Sequence, residues 1–169
     1  MRYQLSGSSG IKMVILRIDD RLIHGQVIAG WVRPLGIESL ILASDKICRD
    51  EWACNAYKLA IPEGIEFFCK NLKESVVHIV QHNKKRAMII VESVKEASDL
   101  VDAGLKIQEV NVGGLSYHKG AREIAPYIYL SPDDIKSVVH LNQMGIKVIG
   151  KQLPNSVAIN VVKNLAGVT

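Results

Sequence analysis

The strongest constraint on how this chain folds is its alternation of short, continuously apolar runs with stretches of helical spacing. The runs cover residues 11–17, 39–43, 65–69, 87–91, 107–112, 127–130 and 146–149. Between them, residues 25–32 are apolar at helical spacing and stop at Pro34 and Gly36. Residues 50–60 carry Trp52, Tyr57 and Leu59 among their apolar positions and stop before Pro62. Residues 72–81 and 94–103 read as helices, the second closed by Gly104. Ser131, Pro132, Asp133 and Asp134 open another that runs to about Met144. Strands alternating with helices predict βαβ units, and continuously apolar strands predict burial on both faces. The expected class is α/β: an open, mostly parallel, doubly wound sheet of about six or seven strands with helices on both faces. The apolar tail, 157–165, fits a strand or a helix. Residues 1–10, with Ser6-Gly7-Ser8-Ser9-Gly10, read as a flexible leader or a tag remnant, and 11–169 as a single domain.

Composition narrows the function classes. With 48% hydrophobic and 22% charged residues the chain is of the folded, globular kind. Its net charge of +4 suits an anionic ligand or partner. The basic residues are spread out, with Lys84-Lys85-Arg86 the one tight cluster, so nucleic acid is not expected. No apolar run reaches the roughly 18 residues that span a bilayer, and no signal-peptide pattern is present. Cys48, Cys54 and Cys69 form an odd set without C-x-x-C spacing. Neither a disulfide framework nor a zinc site is expected from them, Cys48 and Cys54 read as packing residues, and a reducing cytoplasm is the expected compartment.

In open parallel sheets, ligands sit beyond the carboxyl ends of the strands. The loop after the first strand is the richest there, holding Arg17, Asp19, Asp20, Arg21 and His24. A histidine at a helix start meets free N–H groups that favour the neutral, nucleophilic ring and, afterwards, a phosphate on it. Arg21 offers a planar fork for phosphate oxygens, and Gly25 lets a ligand approach the backbone. Asp19 could orient the ring or hold an arginine. After the fifth strand, Asn111-Val112-Gly113-Gly114 fits an anion-binding nest or a plain turn. Ser44 and Asp45, after the second, are a weaker pair of the same kind. A P-loop is excluded because Trp31 and Val32 stand where Lys and Ser/Thr are required. No dinucleotide fingerprint follows a strand. His78 and His82 lie four apart, but a solvated helix face explains them without a metal.

The segment Arg17-Ile18-Asp19-Asp20-Arg21-Leu22-Ile23-His24-Gly25-Gln26-Val27 closely resembles the active-site segment of enzyme IIB of the mannose/fructose/sorbose family. These are subunits of the bacterial phosphoenolpyruvate-dependent sugar phosphotransferase system (PTS). The resemblance extends from about Met13 to Val161 and includes Ser44-Asp45, Asp50-Glu51-Trp52, Asn111 to Gly114, Tyr127 to Ser131 and Leu153-Pro154. It implies the same open sheet. It also implies a phosphohistidine at His24, formed on Nδ1 by family analogy, in a protein-histidine:sugar phosphotransferase without cofactor or metal. The donor would be a phosphohistidine on enzyme IIA, and the acceptor a sugar presented by the membrane subunits IIC and IID during uptake. Arg21, Asp19, Arg17, Gly25, Gln26, Ser44, Asp45, Asn111, Gly113 and Gly114 are the expected site, with Tyr117, His118 and Lys119 as partner contacts. IIA is fused ahead of IIB in some members. The ten or so residues before the first strand point instead to a separate IIA, unless the domain is excised. Cytoplasmic placement beside the permease follows; mannose, fructose, sorbose and amino sugars all stay open.

Overall fold

The computed structural model describes residues 13–82 and 84–167, so the expected leader lies outside the described residues. The elements are β1 (Met13–Asp19), α1 (Gly25–Val27), β2 (Ser39–Ala43), α2 (Glu51–Leu59), β3 (Glu66–Lys70), α3 (Leu72–Gln81), β4 (Arg86–Val91) and α4 (Val94–Asp102). There follow β5 (Glu109–Gly114), β6 (Arg122–Ala125), β7 (Ile128–Leu130), α5 (Pro132–Gln143), β8 (Lys147–Gly150), β9 (Ile159–Asn160) and α6 (Val161–Ala166). Seven strands form one sheet in the order β3-β2-β4-β1-β5-β8-β9. All its pairings are parallel except that of β9 with β8.

The period of two along each strand divides the core between the two faces. Leu16 and Ile18 of β1 point to the face packed by α3, α4 and α5, whereas Ile15 points to the face covered by the segment after β1 and, through Tyr57, by α2. This confirms the doubly wound expectation. Helices α2, α3, α4 and α5 each begin on a side chain, Asp50, Asn71, Ser93 and Ser131 respectively, that accepts a backbone N–H three residues on. Such caps contribute on the order of 1 kcal/mol each.

The structure departs from expectation at several points. Strands β1 and β5 run to Asp19 and Gly114, two residues beyond their expected ends at Arg17 and Val112. Residues 25–32 form one short α-turn followed by a π-helix, Ile28–Val32, rather than a regular helix. Strand β6, unexpected from its mixed sequence, pairs antiparallel with β7 in a separate two-stranded sheet. The tail is both a strand, β9, and a helix, α6. Trp52 and Leu59 are exposed, because α2 lies at the rim of the sheet and buries none of its residues fully. Cys54 and Cys69 are joined as a disulfide, contrary to the reading of Cys54 as a packing residue. The chain fold lays α2 beside the edge strand β3 and brings their Cα atoms to 5.9 Å, a proximity that a separation of 15 residues does not reveal. Cys48 is a free thiol.

Candidate functional site

The site begins with β1 itself. Arg17 and Asp19 share one face of the strand, and Arg17 lies opposite Asn111 of β5. A register shift between Ile18 and Asp19 then sets Asp19 opposite Gly114. The chain turns sharply after Asp19. Leu22 N–H bonds Asp19 O at 2.8 Å, and Leu22 takes φ +57°, a left-handed conformation costing about 1–2 kcal/mol in a residue with a Cβ. Leu22 and Ile23 are buried, and burying such a side chain contributes roughly 2 kcal/mol, enough to hold the turn. His24 follows in extended conformation as the residue before α1, its carbonyl accepting from Val27 and Ile28 at 3.0 and 3.2 Å. The amides of Gly25 and Gln26 have no carbonyl partner among the described residues.

Asp19 is the hub of the charges. Its side chain is 0% exposed, and its Oδ2 receives Arg17 Nη2 at 2.9 Å and faces His24 Nε2 at 3.0 Å. Its Oδ1 accepts the Arg21 amide at 3.2 Å and lies 3.4 Å from Arg21 Nε. Asp19 Oδ2 accepts from Arg17 Nη2 and faces His24 Nε2, so the hydrogen on His24 is assigned to Nε2, donated to Asp19. His24 Nδ1 then carries a lone pair with no hydrogen-bond partner among the described residues, on a ring 20% exposed.

Arg17 was expected at a phosphate or partner surface. The structure corrects this: it is fully buried and turned inward. Its Nη1 donates to Asn111 Oδ1 at 2.8 Å and to Lys151 O at 3.3 Å, and the Trp31 ring covers it at 4.9 Å. Burial pushes its guanidinium down from the ordinary value, and Asp19 works against that shift. Gly113 serves the same buried cation. A Cβ there would stand 1.9 Å from Arg17 Cζ, so the residue is glycine to admit the guanidinium. Gly113 and Gly114 both lie within β5, which replaces the turn and the nest alike, and Gly114 O accepts the Asp20 amide at 3.1 Å.

Arg21 is the exposed cation of the group, 54% exposed and 3.4 Å from Gln26 Oε1. With Gln26 and Gly114 it lines an open cleft of about 380 Å³, closed on the far side by Tyr117, Tyr127, Tyr129 and Gln152. A Cβ on Gly25 would meet nothing within 4 Å, so the backbone beside His24 is open. Tyr117 packs edge-on to Tyr129 at 5.6 Å, while His118 and Lys119 are exposed in the loop beyond. The structure does not bring Ser44 and Asp45 to His24. They follow β2, which β4 separates from β1, and they serve locally: Ser44 Oγ accepts from Ile47 N at 3.3 Å and Asp45 Oδ1 from Leu72 N at 2.9 Å. His78 and His82 stack at 4.2 Å, and no group able to hold a metal occurs among the described residues. Trp31 and Lys151, which the fold brings to Arg17, and Gln152, whose carbonyl accepts from Trp31, were missed.

The comparisons with known proteins bear on the family and the fold. Residues 13–167 match the family model for the PTS system sorbose subfamily IIB component. The chain is 29% identical over 161 residues to the PTS system fructose-specific EIIB component of Bacillus subtilis, covering 94% of this chain and 99% of that one. It is 29% identical over 137 residues to the PTS system mannose-specific EIIAB component of Escherichia coli, covering 79% of this chain and 42% of that protein. The crystal structure of the IIBSor domain of the sorbose permease from Klebsiella pneumoniae superposes with a TM-score of 0.85 at 23% identity, over 92% of this chain and 98% of that domain. On a match that spans β1 to α6, the chain belongs to the sorbose-subfamily IIB components of the PTS, the mannose/fructose/sorbose family whose members transfer phosphoryl groups in sugar uptake.

Proposed function

We propose that His24 accepts a phosphoryl group on Nδ1 from a phosphohistidine of enzyme IIA and passes it to a sugar hydroxyl presented by the membrane subunits IIC and IID. The observation that carries this is the bond from His24 Nε2 to Asp19 Oδ2, 3.0 Å, which leaves Nδ1 as the free nucleophilic nitrogen. In the first step the Nδ1 lone pair forms the new N–P bond as the donor's N–P bond breaks, and the donor imidazole leaves neutral. The phosphorylated ring keeps its Nε2–H on Asp19, whose negative charge stabilises it. In the second step the sugar oxygen attacks phosphorus, the hydroxyl proton leaves to solvent, and His24 departs as the neutral imidazole. Arg21 and the free amides of Gly25 and Gln26 stabilise the equatorial oxygens in both transfers. Gln26, Gly114 and Tyr117 along the cleft, with His118 and Lys119 beyond it, form the face on which the partners dock in turn. The exposed Arg21 and the open backbone at Gly25, next to His24, support this reading, since a relay must offer one site to two proteins. The EIIAB name of the Escherichia coli relative supports IIA as the donor.

No described helix is long and apolar enough to cross a membrane, and the proposed setting is the cytoplasmic face of the permease. The test is incubation with phosphorylated IIA, followed by intact mass. A gain of one acid-labile phosphoryl group is expected in the wild type and none in His24→Ala. Full labelling of His24→Ala would sink the assignment.

A further inference from the structure

We infer that Trp31 is a positioning residue for the phosphate-carrying histidine, fixing the His24 tautomer through Arg17 and Asp19. The inference rests on the proposed role of His24 but is tested separately from it. Trp31 is the largest fully buried side chain and stands in the π-helix that follows the site loop. Its ring lies 4.9 Å from Arg17 Cζ, and its Nε1–H donates to Gln152 O at 2.7 Å. The neighbouring carbonyl, Lys151 O, accepts from Arg17 Nη1 at 3.3 Å. Ring and guanidinium are therefore tied to successive carbonyls of one segment.

A core-filling role alone does not require this arrangement. Arg17 Nε is buried without a hydrogen-bond partner, so one edge of the guanidinium lacks a directional bond and its placement relies on what covers its face. The aromatic ring supplies that cover through its electron-rich π-face. Asn111 Oδ1 holds Nη1 at 2.8 Å, and the Gly113 backbone leaves space for the group. So clamped, Arg17 presents Nη2 to Asp19 Oδ2, the oxygen that also receives His24 Nε2. Without the ring, the guanidinium can tilt, Asp19 can rotate towards Arg21, and the His24 proton is no longer confined to Nε2. The reactive lone pair at Nδ1 is then lost in part of the population.

The experiment pairs Trp31→Leu, which removes the aromatic face, with Trp31→Phe, which keeps a face and removes the N–H donor. The full chain is labelled with 15N, and the His24 ring is read by long-range 1H–15N correlation, alongside the rate of phosphate uptake from phosphorylated IIA. Wild type should show the Nε2–H tautomer. Trp31→Leu should show a mixture and a rate roughly tenfold lower, and Trp31→Phe should recover the tautomer and most of the rate. A folded Trp31→Leu with the wild-type tautomer overturns the inference, as does a Trp31→Phe as impaired as the leucine variant. If Trp31→Leu does not fold, Asn111→Ala releases the other clamp on Arg17 and must move the same signal; an unmoved signal overturns it. Failure of phosphate uptake in wild type would refute the role of His24 and leave the tautomer result standing.

Discussion

Gly113→Ala is the sharpest test of the buried cation beneath His24. The added Cβ would lie 1.9, 2.0 and 2.3 Å from Arg17 Cζ, Nη2 and Nη1. Contacts that short force the guanidinium out of its place. It cannot swing aside cheaply, because Asp19, Asn111, Lys151 O and Trp31 surround it and it has no exposed surface. Eviction separates the Arg17–Asp19 pair, now at 2.9 Å with both side chains 0% exposed. Breaking a buried ion pair while leaving one charge behind costs about 3–5 kcal/mol. For a domain of this size each kcal/mol lowers Tm by roughly 2–4 °C, so the expected fall is about 6–20 °C. The neighbouring glycines are the controls. A Cβ on Gly114 would come no closer than 3.6 Å to Asp19 Oδ1, and one on Gly25 would meet nothing within 4 Å. Thermal unfolding followed by circular dichroism should rank Gly113→Ala far below Gly114→Ala, with Gly25→Ala close to wild type. A Gly113→Ala protein melting within about 2 °C of wild type would refute the reasoning.

Arg21→Ala removes an exposed charge, so Tm should hardly move, whereas losing a charge-assisted contact of about 2 kcal/mol should slow phosphate uptake on His24 roughly thirtyfold. Rapid-quench labelling checks this, and an unchanged rate counts against a phosphate-binding role. Alkylation of protein unfolded without reductant should modify Cys48 alone, and after reduction Cys54 and Cys69 as well; the 15-residue separation of that disulfide corresponds to about 3 kcal/mol by chain entropy, so reduction should lower Tm. The third concerns His78, whose burial, with His82 and Lys70 adding to it, lowers its pKa from the ordinary 6.5. The unfolded chain therefore takes up the proton first, and stability present above pH 6.5 is lost as pH falls from there through the folded value. His78→Phe lacks this loss. Melts at neutral pH and in mild acid should show the wild type losing ground to the variant on acidification, and a constant Tm gap would refute the assignment.

The fold class was legible because apolar runs and helix caps are local signals, and those of β2, β4 and α5 are unbroken. The strand ends at the site were not. The expected strands stop at Arg17 and Val112, because Asp19-Asp20-Arg21 and Gly113-Gly114 break the apolar pattern. Yet Asp19 and Gly113 continue the strands and, with Asn111 inside β5, meet the needs of Arg17: a counter-ion, an absent side chain and an acceptor. The breach of the apolar pattern is thus the site itself, where local rules give way to function. His24 could be named from its contiguous neighbours, which share one loop. The Gly-Gly pair was misread because its purpose lies on another strand. Ser44 and Asp45 were overvalued because a strand-to-helix loop reads alike whether it meets a ligand or caps a helix. Trp31 stood in view as the residue that spoils a P-loop, but periodicity marks it only as core. Its placement on Arg17 follows from the π-helix. A sequence can thus nominate His24, but the nitrogen proposed to react follows from the fold, since Asp19 at the end of β1 holds Nε2 of His24 and leaves Nδ1 free.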